Sequence, residues 1–114
     1  MLALCSALYF YNLRIFDECQ EELLSSTYSP NKEKEITIVL LQCGATTSNA
    51  IHMRISNIDN KSVETFFIGS NVSIMAVNWN GDADAEIVYE LQERGRLFKQ
   101  QENSLDVSFM YRAD

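Results

Sequence analysis

Hydrophobic residues in this chain follow two different rhythms. Residues 2–16 form an apolar and aromatic run, Leu2-Ala3-Leu4-Cys5-Ser6-Ala7-Leu8-Tyr9-Phe10-Tyr11, continued by Leu13, Ile15 and Phe16 and interrupted by Asn12 and Arg14. The run is shorter than the about 20 apolar residues that span a bilayer. It opens directly after Met1, without the basic stretch that precedes a secretory signal core. It reads as a truncated membrane tether or signal remnant, with a buried terminal helix as the alternative. Leu23 and Leu24 give residues 17–26 an apolar side, so the helix is predicted to continue to Ser26. Residues 1–26 then make one unit and residues 27–114 a second, β-rich one. Ser29-Pro30-Asn31-Lys32 marks the boundary, because proline presets its own φ and pushes Ser29 toward extended geometry.

Beyond that turn the period becomes two. Residues 36–42 are apolar on both faces, as in a covered central strand. In residues 52–58, Met53 and Ile55 alternate with His52, Arg54 and Ser56. Short strands are predicted at 65–68, 74–79, 86–91 and 97–98. They are separated by turns at Asp59-Asn60-Lys61, Gly69-Ser70-Asn71, Asn80-Gly81-Asp82 and Gly95. Met75, Val77 and Trp79 are expected on one face, as are Ile87, Tyr89 and Leu91. Residues 105–111 alternate most cleanly, with Leu105, Val107, Phe109 and Tyr111 on one side. The predicted fold is mainly β: a twisted antiparallel sheet or small β-sandwich of six or seven short strands, preceded by an N-terminal helix.

Composition narrows the partners. The chain has 114 residues, nine of them Lys or Arg against 16 Asp or Glu, for a formal net charge of −7. Scattered basic residues in an acidic chain argue against nucleic acid, whose phosphates demand clustered cations. The acidic balance leaves room for an inhibitor or immunity-type protein that blocks a basic partner.

Little chemistry is offered by the motifs. Three cysteines, Cys5, Cys19 and Cys43, form no C-x-x-C pair, so neither a zinc ribbon nor a redox motif is expected. Asp82, Asp84 and Glu86 have the spacing of a calcium-loop fragment but lack its later glycine and glutamate, so no metal is predicted. Gly44-Ala45-Thr46-Thr47-Ser48 lacks the lysine of a phosphate loop and reads as a structural loop whose hydroxyls satisfy nearby backbone. One enzymatic alternative remains, a small hydrolase using Thr46, Thr47 and Ser48 with the chain's one histidine, His52. No cofactor is expected.

Cys19, Ser29-Pro30, the strand closing on Cys43-Gly44-Ala45-Thr46-Thr47, Val77-Asn78-Trp79 and Ile87-Val88-Tyr89 together resemble a family of small bacterial domains of unknown function. Its members are typically exported lipoproteins or carry one N-terminal membrane segment. The chain departs from that pattern in its short N-terminal segment and in Asn31-Lys32, where Asp-Gly is usual. The resemblance implies a cell-envelope domain, anchored or periplasmic, with a cytoplasmic protein as the alternative. It implies contact with a membrane through the N-terminal segment, a protein partner, and no transferable catalytic residue. In an exported setting Cys19 and Cys43 are the natural disulfide pair. In a cytosolic one all three cysteines stay reduced.

Overall fold

A computed structural model describes residues 20–42 and 49–114. They form one seven-stranded sheet. Its strands are β1 (Gln20–Tyr28), β2 (Lys34–Gln42), β3 (Ala50–Asn57), β4 (Val63–Trp79), β5 (Asp84–Gln100), β6 (Asn103–Ser104) and β7 (Val107–Ala113). The spatial order is β1-β2-β3-β4-β5-β7-β6. The mainly β expectation holds. Strands β1 to β5 pair antiparallel in sequence order, and β7 returns to lie parallel to β5.

One correction concerns the N-terminal helix. Residues 20–26, expected to be its last turns, are strand and form the edge of the sheet as β1. Two causes outweigh the Leu23-Leu24 pair. Ser25, Ser26 and Thr27 are weak helix formers. The backbone of β2 also needs a partner on its second edge, and the hairpin at residues 29–32 folds β1 back to supply it, from Tyr28↔Glu35 to Gln20↔Gln42. The remainder of the expected helix, residues 1–19, lies outside the described residues, as does the loop 43–48.

The second correction concerns strand length. The interruptions at Gly69-Ser70-Asn71 and at Gly95 are not hairpins. They are bends inside two 17-residue strands. Ser70 pairs with Arg96 and Val72 with Leu91, so residues 92–95 bulge opposite Asn71. Asn71 and Arg94 take left-handed backbone, φ 51 and 65. Gly95 is required by crowding: a Cβ there would sit 2.6 Å from the Asn71 carbonyl oxygen. A bulge of this size turns both strands sharply.

The bend folds the sheet over its own core. Ile36 and Ile38 of β2, Ile51, Met53 and Ile55 of β3, and Phe66 and Phe67 of β4 meet Ala85 and Ile87 of β5 and Val107 and Phe109 of β7. Phe66 and Phe109, on strands that are not neighbours, stack with ring centroids 3.9 Å apart and planes at 4°. Tyr111 packs against Phe67 and donates its hydroxyl to the Gln101 carbonyl. Burial, with Glu102 and Tyr89 nearby, pushes that phenol well above the usual tyrosine range. At the far end the two hairpin tips touch, with the Asn31 amide donating to Asp82 Oδ1 at 2.8 Å.

The predicted faces mostly survive. Ile51, Met53 and Ile55 point inward, as do Val107 and Phe109. Met75 does not join Val77 and Trp79. A register shift between Ile74 and Ala76 sends it outward and turns Ile74 toward the core instead. Leu105 and Asp106 are not strand but a left-handed turn between β6 and β7, φ 49 and 66.

Candidate functional site

The bend leaves two strand edges open. Residues 63–70 of β4 pair with β3, but residues 72–79 pair, among the described residues, with β5 alone. β1 likewise pairs with β2 alone. Between these edges lies a cleft of about 310 Å³. Leu24 and Ser25 of β1 form one wall and Val72, Ser73 and Ile74 of β4 the other, over Ile38 and Ile51. A smaller hollow of about 170 Å³ adjoins it through Ile51, Val72 and Ser73. Leu40, Asn49, Asn71 and Gln92 complete that hollow, where Gln92 Nε2 donates to Ser73 Oγ at 2.7 Å.

Each wall follows from local sequence. Leu24 is the extra residue of a register shift between Leu23 and Ser25, which turns it toward the cleft. Val72 and Ile74 reach the cleft because the chain has turned at Asn71. The floor is the inward face of β2 and β3. The lining is aliphatic with hydroxyl and amide groups at the rim, suited to holding apolar groups by burial and orienting them by a few hydrogen bonds.

The residues singled out in the sequence fall elsewhere. Cys19, Cys43 and the loop Gly44-Ala45-Thr46-Thr47-Ser48 lie outside the described residues. His52 sits on β3 with its neighbours Ile51 and Met53 on the opposite, inward face. Around it, Arg54 and Glu21 form a two-pronged ion pair, 3.0 and 3.4 Å, that spans β2. Partial burial, then the Arg54 charge, lowers the His52 pKa, against a smaller opposing pull from Glu21. Glu21 is itself held below the usual carboxylate range by its hydrogen bond to Arg54.

The calcium-like spacing is used for structure. Asp82 caps the Asn31 amide, and Glu86 accepts from Asn78 at 3.1 Å and Arg112 at 3.2 Å. Those hydrogen bonds, Asn78 first, lower the Glu86 pKa. Among the described residues no group of acidic, histidine or cysteine side chains could hold a metal ion. No helix among them is long and apolar enough to cross a membrane.

Sequence reasoning missed the cleft. The available signal was the pair of interruptions at Gly69-Ser70-Asn71 and Gly95, which bend strands where the spacing suggested separate ones. No curated protein and no solved structure matches the chain. One family does, over residues 1–102, so the match takes in the apolar N-terminal run and all of β1 to β5. β6 and β7, which complete the aromatic core, follow the matched region. By that match, the chain belongs to the family described as "Family of unknown function (DUF5412)".

Proposed function

We propose that this chain is a non-enzymatic binding domain of the bacterial cell envelope, held at the membrane by its N-terminal segment. The observation that carries the binding role is the cleft between β1 and the second half of β4. Its aliphatic floor and uncharged rim suit recognition of apolar groups better than acid–base chemistry. The tether rests on the apolar run at residues 2–16.

A disulfide between Cys19 and Cys43 belongs to the same reading. Its support is the register of the first hairpin. Gln20 pairs with Gln42, and the cysteines are the next residues outward along the chain. In the chain-entropy model the closed loop is worth about 3.5 kcal/mol.

Fractionation of the native gene product tests the location. The expected result is recovery with membranes and digestion by protease added to spheroplasts. Recovery in the cytosol, protected from protease, overturns the envelope reading. Thiol counting in non-reducing denaturant is expected to give one free thiol, and three would refute the bridge.

A further inference from the structure

We propose that the open edge of β1 is a docking site for an extended strand of another protein, added antiparallel to the sheet with every second side chain dropping into the cleft. The proposal rests on the binding-domain reading and names the partner's chemistry.

The two edges of the sheet are treated differently. At one end β6, two residues long and followed at once by a tight turn, pairs with Val107 and Ser108 of β7 and leaves only residues 109–113 as further edge. Short, turned edges resist pairing. At the other end β1 presents nine residues, none of them buried, and no described residue bonds to its outer edge. A row of free amides and carbonyls of that length is a template for an added strand.

The side chains along β1 fit the same use. Leu23 is 62% exposed, Leu24 47% and Tyr28 51%, a concentration of large apolar groups on one edge strand. Leu24 and Ser25 also form a wall of the cleft. A strand laid beside β1 sends alternate side chains toward the space between the folded halves of the sheet, which is where Val72 and Ile74 form the opposite wall. The volume of about 310 Å³ matches two or three aliphatic side chains.

Charge selects among occupants. Glu22 stands on β1 beside Glu21, whose charge is shared with Arg54, in a chain of net charge −7. A second copy would bring another net charge of −7 to the same edge, and that like charge opposes self-association. A segment with alternating aliphatic residues and Lys or Arg at its flank meets the acidic end of β1 favourably.

The test uses the oxidised full chain and a random nonamer peptide library. Selected peptides are expected to alternate aliphatic residues, carry a basic flank and lack central proline. In hydrogen exchange, a selected peptide is expected to protect amides of β1. Methylating its backbone nitrogens at alternate positions is expected to weaken binding at least tenfold. So is L24R, which leaves the melting temperature within a few degrees. Palmitate serves as the competing probe. If palmitate occupies the cleft in an L24R-sensitive way while no peptide binds, or if methylated peptide binds equally well, the strand inference falls and the binding-domain reading stands. If neither probe protects β1 or the cleft, both fall.

Discussion

Replacing Phe109 by alanine tests whether the last strand closes the fold. Phe109 is 5% exposed on β7 and stacks on Phe66 of β4, two strands away in the sheet. Removing the ring withdraws about 150 Å² of apolar contact, about 4 kcal/mol at about 25 cal/mol per Å². Cavity effects keep such losses at about 3–5 kcal/mol. A chain of this length has about 6–17 kcal/mol in total, so F109A stays mostly folded across that range, with about 1–3 kcal/mol left at the lower end. Urea unfolding followed by tyrosine fluorescence gives the midpoint, expected to fall by about 2 M for a slope of about 2 kcal/mol per M. F98A provides the comparison, because Phe98 is 61% exposed and its loss is expected to stay within about 0.5 kcal/mol. A double-mutant cycle with F66A is expected to return a coupling of about 0.5–1.5 kcal/mol. Equal costs for F109A and F98A, or a coupling of zero, would refute the packing of β7 over β4.

Three further outcomes are expected. G95A forces a Cβ to within 2.6 Å of the Asn71 carbonyl oxygen and is expected to cost about 1–3 kcal/mol by urea unfolding; a neutral substitution would mean the bend is not built as described. S29A removes a hydroxyl, buried to 1% exposure, that donates to Asn31 Oδ1 and accepts from the Lys34 amide, and a loss of about 1–3 kcal/mol is expected, read by thermal melting. His52 has a pKa below its ordinary 6.5 in the fold, so the unfolded chain takes up its proton first as pH falls. Its contribution is therefore present above about pH 6.5 and lost below. Urea midpoints at pH 7.5 and 5.5 are expected to converge in H52Q relative to wild type, and an unchanged difference would refute the assignment.

Strands that bury one face cleanly were legible in the sequence. β3 and β7 carry their inward residues at period two, and β2 is apolar on both faces, with Ile36 and Ile38 buried on one and Val39 on the other. β1 was not legible because it is an edge strand: with so little buried, no periodicity is imposed, and Leu23-Leu24 imitates a helix face. The bends were misread for a related reason. Gly95 and Asn71 signal a change of direction, but only the pairing Val72↔Leu91 shows that the strands continue past it. Met75 slipped from its expected face because a single bulge reverses alternation locally. The cleft depends on residues far apart in the chain, Leu24, Ile51 and Ile74 among them, and no local pattern joins them.

The parallel return of β7 sets the order of events at the ribosome. Strands β1 to β4 can zip together in the order they emerge, each with its predecessor. Phe66 then waits for Phe109, 43 positions later, to cover it. Until β7 has emerged, the nascent chain carries an uncapped aromatic surface, the kind that aggregates or recruits chaperones. β7 acts as the latch, so a product stalled or clipped before Val107 should be a target for proteolysis rather than a shortened working domain.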